Sequence, residues 1–399
     1  MMGLAAFLSV WAVSAVTAGR VAAETSEPVV STAEAPADVQ EENMRADGED
    51  EEILERIRTM TLEEKIGQLF IVTPEALTGS GGVTYAGETL AEEIRLCAPG
   101  GFIFNEWNLS DPDQTKTLLG DMIRIYEEAG LPGPFLALDE EGGCVTRIAK
   151  NSAFEAPQFP DMREIGAGGN PDDAALAGSV IGGYLSLLGF NMDFAPVADV
   201  LTNPDNTVVA RRSFGSDPVL VSEMVRAMSG QLLSNGIIPV LKHFPGHGAT
   251  AGDTHNGYAA ADRTYEELLR SELVPFADGT AYAPAMMAAH ISLPEVTGDD
   301  LPASLSKTLI TGVLREKLGY GGLVITDAMN MGAVVSQYSS AEAAVMAVEA
   351  GCDIVLMPAD FRAAREGLLE AAASGRITEE RIDESLYRIL SVKKRFLQK

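Results

Sequence analysis

The sequence is poor in everything that would build a disulfide framework, a thiolate metal centre or a nucleic-acid surface. Its three cysteines, Cys97, Cys144 and Cys352, are odd in number, far apart and outside any CxxC spacing, so free thiols are the reading. Basic residues are outnumbered, 29 Lys and Arg against 58 Asp and Glu, for a formal net charge of −29. That balance excludes nucleic acid and anionic membrane as partners. No glycine-rich phosphate cradle follows the first candidate strand, which argues against an open dinucleotide-binding sheet. The one notable apolar run, in "MMGLAAFLSVWAVSAVTAGRVAAE", is too short to span a bilayer comfortably. Histidine is scarce as well, with four in 399 residues, and three of them fall within "LKHFPGHGATAGDTH", residues 241–255.

What is present describes a soluble enzyme-like chain, 46% hydrophobic and 22% charged. Residues 1–23 pair the short apolar run with small-residue cleavage sites, so a signal peptide or N-terminal anchor is expected, and with it an extracellular or cell-surface location. Residues 24–52 carry eleven acidic residues against the single Arg45, a net of −10, among Ala, Pro, Ser and Thr. This composition predicts an acidic disordered linker. Removing it leaves −19 on the rest of the chain, whose residues 53–399 are long enough for one large barrel.

Within that span short β-branched runs alternate with longer amphipathic stretches. The runs "IGQLFIV", "GGFIFN", "PFLALD", "NMDFAPV", "IIPVLKHF", "AMMAAHI", "GLVITDAM" and "CDIVLMP" predict eight strands. Helices are predicted over 113–129, 172–188, 218–234, 264–278, 306–318, 340–350, 360–374 and 378–396. Strand then helix, eight times over, predicts an α/β fold with a single (β/α)8 TIM-type barrel, its buried parallel strands explaining the continuous apolar runs. On that fold Asp139, Asp193, His243, His290 and Asp327 fall at or just past the C-terminal ends of five strands, where this architecture builds its sites. Any one of these carboxylates taken alone reads equally well as a helix cap.

His243 and His247 have the i, i+4 spacing of a zinc-binding helix, but Pro245, Gly246 and Gly248 forbid the helix, and Lys242 would repel a cation. No metal is expected. A loop histidine is better used for proton transfer, and Asp253 two residues before His255 is placed to orient an imidazole and stabilise its charged form.

Taken together, "KHFPGHG" followed by "DTH", with "DEEGG", "NMDFAPVADV", "RSFGSDP", "MMAAHI" and "ITDAMNM", resembles the β-N-acetylglucosaminidase branch of family 3 glycoside hydrolases from about residue 50 onward. The resemblance implies an exo-acting, retaining β-N-acetylhexosaminidase acting on cell-wall or chitin-type oligosaccharides. It implies Asp327 as the nucleophile, His255 as the acid/base and Asp253 as its dyad partner. Asp139, Arg147, Arg212, Lys242 and His243 would grip the hydroxyls and N-acetyl group of the terminal sugar, with His247 structural and His290 at the same mouth. An ionised carboxylate on one face of the sugar and a proton donor on the other are what a retaining glycosidase requires. Lys242 and the two arginines are expected to keep Asp327 ionised by opposite charge. No cofactor is called for, and a monomer without a second domain is expected. Two positions depart from the family pattern: Cys144 stands where an arginine is common, and Ala328 where a second aspartate follows the nucleophile. A β-glucosidase or β-xylosidase of the same family, and a non-catalytic barrel that binds amino sugars, remain as rival readings.

Overall fold

The computed structural model of the chain describes residues 50–250 and 259–397. Eight strands line its centre: β1 Phe70–Val72, β2 Gly101–Ile103, β3 Phe135–Leu138, β4 Met192–Asp193, β5 Ile238–Phe244, β6 Ala285–Ala288, β7 Leu323–Thr326 and β8 Val355–Leu356. They pair in the order β8-β1-β2-β3-β4-β5-β6-β7, and every pairing is parallel. A parallel bridge between Ile325 and Ile354, with the Thr326 amide donating to the Ile354 carbonyl at 2.9 Å, brings β7 back against the entry to β8. The ring is therefore a TIM-type barrel, and each of the eight apolar runs contributes one strand. Every strand residue is buried, as expected when helices cover one side of a parallel sheet and barrel-filling side chains the other.

The helices begin where the sequence marks them. Asp111, Asn170 and Asp217 each precede a proline, and each accepts backbone amides as the N-cap of helices Pro112–Ala129, Pro171–Leu188 and Pro218–Ser234. A cap that satisfies orphan amides, followed by a proline that has none to satisfy, sets each start. Gly130 and Gly189, with φ of 67° and 100°, close the first two in the left-handed conformation.

Three elements differ from expectation. The run "IGQLFIV" opens inside a helix, Leu62–Gln68, because Thr61 and Glu64 form a capping box, and only its last three residues are strand. The helix expected over 264–278 is two, Tyr265–Leu268 and Val274–Gly279, since Pro275 cannot sit in a continuous helix interior. The segment Thr308–Lys317 winds as a π-helix.

Residues 50–59 are helical and take in the last three positions assigned to the linker. Ile53 and Ile57 are buried, Tyr387 donates to Asp50, and Lys394 pairs with Glu52, both from helix Glu379–Leu397. An acidic composition was a poor guide there because the acids lie on the outer face of an amphipathic helix. The signal and the remainder of the acidic linker lie outside the described residues.

The N-terminal end of the barrel is closed by charges that satisfy one another. Buried Asp353, just before β8, accepts from Arg315, Arg388 and Ser385 at 2.5, 3.0 and 2.8 Å. The opposite end is differently made.

Candidate active site

The C-terminal ends of β3, β4, β5, β6 and β7 converge on one mouth. Asp139 follows β3; its Oδ1 accepts from Lys242 Nζ at 2.8 Å and its Oδ2 from Arg147 at 3.2 Å. Lys242, on β5 and almost wholly buried, also meets Glu141 Oε1 at 2.7 Å. Glu141 in turn takes Arg212 Nε and NH2 at 2.8 and 2.6 Å. Burial pushes the Glu141 carboxyl up, but the Arg212 guanidinium and then the Lys242 ammonium outweigh it and hold it well below the usual carboxylate range. Arg147, Arg212 and Lys242 thus form one cationic wall on two carboxylates.

His243 is held from below by Asp199, which is fully buried on the loop after β4. Its Nδ1 lies 2.7 Å from Asp199 Oδ2, and its Nε2 lies 3.3 Å from Arg212 NH2. Both ring nitrogens of His243 are thus engaged, one by Asp199 and one by Arg212. His290 is also held at both ring nitrogens. Its Nε2 donates to the Ala328 carbonyl at 3.0 Å, and its Nδ1 lies 2.7 Å from Ser304 Oγ. Through that carbonyl His290 fixes the turn that carries Asp327.

Asp327 stands at the end of β7, half-buried, with Oδ1 accepting the Ala328 amide at 2.8 Å. Burial pushes its carboxyl up, yet the His290 and His243 imidazoles, the Ala328 amide and Lys242 bring it below the ordinary aspartate value. The Lys242 contribution is the expected one; the two arginines are taken up by Asp139 and Glu141, and the two histidines and the Ala328 amide do the rest. Ala328, the departure from the family pattern, contributes only backbone to this arrangement.

Consecutive residues on a strand point to opposite faces, yet Lys242 and His243 both reach acidic partners at the mouth. The β5–β6 register shifts between Leu241 and Phe244, and an irregularity of this kind re-aims side chains. Beyond β5, Gly248 packs where no side chain fits: a Cβ there would lie 1.9 Å from the Val200 carbonyl oxygen. The "KHFPGHG" loop is thereby pressed onto the loop that carries Asp199. Gly248→Ala is expected to cost about 1–3 kcal/mol through forced backbone displacement and to reduce turnover with it. A urea midpoint indistinguishable from the parent chain would show that the contact is not tight.

Asp193 does not line the mouth. It is fully buried, accepts the Glu140 amide at 2.9 Å with one oxygen, and finds no partner for the other among the described residues. Burial pushes its carboxyl well above the usual range, and its bond to the Glu140 amide makes it a support of the β3 loop. Glu140 is likewise locked away, taking the amides of Arg147, Ile148 and Ala149 at 2.5–2.9 Å and the Tyr184 hydroxyl at 2.8 Å. Neither Glu140 nor Glu141 is free to serve as a proton donor to a leaving group. His247 is buried beside His243, 6.0 Å between ring centroids, with Thr250 Oγ1 at 2.8 Å from Nδ1. Asp253 and His255 lie outside the described residues. Cys144 is exposed, and no cluster of three metal-ligating side chains occurs among the described residues.

Sequence reasoning kept Glu140 or Glu141 only as a fallback leaving-group acid and gave Asp199 no role, so it missed the two buried acids, Glu141 and Asp199, that hold the site's cations and its histidine in place. Nothing in "DEEGG" distinguishes the acid that faces the mouth from the one that anchors it. Asp199 follows β4 by six residues, a separation that carries no signal by itself.

Comparison with known proteins places this arrangement. Residues 61–392 match the model of the glycosyl hydrolase family 3 N terminal domain. The chain is 31% identical over 334 residues to Beta-hexosaminidase A of Pseudoalteromonas piscicida, covering 77% of this chain and 55% of that one. It is 34% identical over 291 residues to Beta-hexosaminidase LpqI of Mycobacterium tuberculosis, covering 70% and 74%. Among solved structures, a family 3 beta-N-acetylglucosaminidase from Paenibacillus sp. str. FPU-7 superimposes with a TM-score of 0.80 at 36% identity, over 85% of this chain and 63% of that one. The match thus spans little more than half of the Pseudoalteromonas protein and under two thirds of the Paenibacillus one. With the family model covering most of its length and the barrel, strand ends and charge cluster in place, the chain belongs to glycosyl hydrolase family 3.

Proposed function

We propose that the protein is an exo-acting, retaining β-N-acetylhexosaminidase that releases terminal GlcNAc from cell-wall or chitin-type oligosaccharides, working at or outside the cell surface. The observation that carries this reading is Asp327, a carboxylate open to the mouth and held ionised opposite a wall of buried donors. In this role it attacks the anomeric carbon and forms a covalent glycosyl-enzyme, which water then resolves. Asp139, Arg147, Arg212, Lys242 and His243 orient the sugar through charge-assisted hydrogen bonds. His255, paired with Asp253, supplies the proton to the leaving oxygen and later takes one from water. Burial of Glu140 and Glu141 supports that division of labour, because it removes the nearest carboxylates from competition for the acid/base role.

A panel of nitrophenyl glycosides separates this reading from its rivals. Turnover of the N-acetylglucosaminide well above the glucoside and xyloside is expected; preference for either of the latter points to the other branches, and no turnover points to a binding barrel. A fluorosugar that leaves slowly should label the peptide "ITDAMNM" on Asp327, and a label on Asp139 would overturn the site assignment. His255→Ala is expected to slow substrates with poor leaving groups by about a hundredfold or more, in line with general acid catalysis, and nitrophenyl substrates far less, since an activated aglycone departs without protonation. Equal slowing of both would remove His255 from that role.

A further inference from the structure

Two large aromatic side chains stand in water on the mouth side of the barrel. Tyr85, in the segment after β1, is 74% exposed, and Trp107, in the segment after β2, is 55% exposed. Neither is on a loose loop. Buried Asn108 donates to Glu75 Oε1 at 2.6 Å and to the Val83 carbonyl at 2.9 Å, and Gln114 Nε2 donates to the Thr84 carbonyl at 2.6 Å and the Asn108 carbonyl at 3.1 Å. These bonds clamp the residue before Tyr85 to the residue after Trp107. The Tyr85 ring packs against Gly87, where a Cβ would come within 2.7 Å of it.

The same segments are tied to the site. Glu106 pairs with Lys150 at 3.0 Å, and Asn151 donates to the Leu109 carbonyl at 3.1 Å, both bonds reaching the β3 loop that carries Asp139 and Arg147. Lys150 first, and more weakly Arg147, pull the Glu106 carboxylate below its ordinary range, so the residue next to Trp107 lies within electrostatic reach of the Asp139 partner.

Aromatic area held in water by a clamped segment beside a binding mouth gains nothing for folding and is suited to a ligand. A pyranose ring fits them: it offers one face of C–H groups to a π-surface while its hydroxyls stay in water. We infer that Trp107 and Tyr85 form a platform for a second sugar ring, so that the site discriminates oligosaccharides from single-ring glycosides. This rests on the hexosaminidase reading, with the first ring held by the Asp139–Lys242–Arg212 wall.

The chain has two tryptophans, Trp11 and Trp107, which makes the test direct. The full chain with Trp11→Phe, and Asp327→Ala to stop turnover, is titrated with GlcNAc and with its β-1,4-linked trimer while tryptophan emission is followed. The trimer should shift the Trp107 emission to the blue and bind about tenfold more tightly than the monosaccharide, the size of one aromatic anchor. Trp107→Ala and Trp107→Phe, which leave no tryptophan in this background and are therefore titrated by calorimetry, should respectively erase that advantage with GlcNAc affinity unchanged and restore most of it. Trimer affinity by calorimetry that ignores Trp107→Ala, with no change in Trp107 emission when the trimer binds the Trp107-containing chain, overturns the platform alone. A parent chain that neither binds GlcNAc nor hydrolyses its nitrophenyl glycoside overturns the hexosaminidase reading and the platform together.

Discussion

Asp327→Ala should lower kcat/KM by about 10⁴-fold or more, the order expected when the nucleophile of a covalent route is removed. The fold should be spared. The carboxylate is only half-buried, and its one backbone bond is to the amide that follows it, so truncation removes a charge at the mouth and no core packing. Azide adds a stereochemical check. Once the Asp327 side chain is gone, a small external anion can enter from the face it occupied and displace the aglycone in a single step. The product should then be the α-glycosyl azide, because one displacement inverts the anomeric centre where two retain it. A β-glycosyl azide would mean that the covalent intermediate still forms, and that Asp327 is not the nucleophile. Retained hydrolysis would say the same.

How much of this was legible beforehand varies with the physics behind each feature. The strands were, because an interior buried on both faces leaves uninterrupted apolar runs such as "PFLALD" and "GLVITDAM". Helix starts were too, since Asp111-Pro112, Asn170-Pro171 and Asp217-Pro218 write cap and first turn into adjacent residues. Position at strand ends brought Asp139, His243, His290 and Asp327 to one mouth, because the barrel fixes where such residues lie. It failed for Asp193, which occupies an equivalent place in the sequence but is sealed beneath Glu140. Depth below the mouth is decided by which neighbouring loop covers a residue, and that is a tertiary fact. The pairing of cations with acids was hidden for the same reason. Lys242 lies 101 positions from Glu141 in the chain, and no local pattern announces a bond across that distance. The π-helix at Thr308–Lys317 has no distinctive composition, so its sequence reads as an ordinary helix.

Glu141 carries the largest expected effect on stability. It is almost wholly buried, and three short bonds from Arg212 and Lys242 end on it. In Glu141→Ala, Lys242 keeps Asp139, but Arg212 loses its ion-pair partner and, among the described residues, keeps the His243 ring nitrogen as its hydrogen-bond neighbour, with Asp199 and Asp139 further off. An unbalanced buried cation costs about 3–5 kcal/mol, a large part of the 5–15 kcal/mol that is typical of a whole domain. Glu141→Gln keeps the volume and loses the charge, so it should recover the packing share of that loss only. The pH dependence separates charge from packing. Because the folded carboxyl sits below its unfolded value of about 4.3, its contribution is fully present above that value and is lost as pH falls through the depressed one. The stability gap between the parent chain and Glu141→Gln, read from urea midpoints, should therefore be constant from neutrality down to about pH 5 and close progressively in stronger acid. A gap that stays flat into strong acid would assign the effect to packing. A loss under about 1 kcal/mol in Glu141→Ala would match an exposed ion pair and overturn the burial argument. Activity should fall further than stability requires, since Arg212 freed from Glu141 no longer meets His243 at a fixed angle, and the wall that orients the sugar loses its shape before the barrel loses its fold.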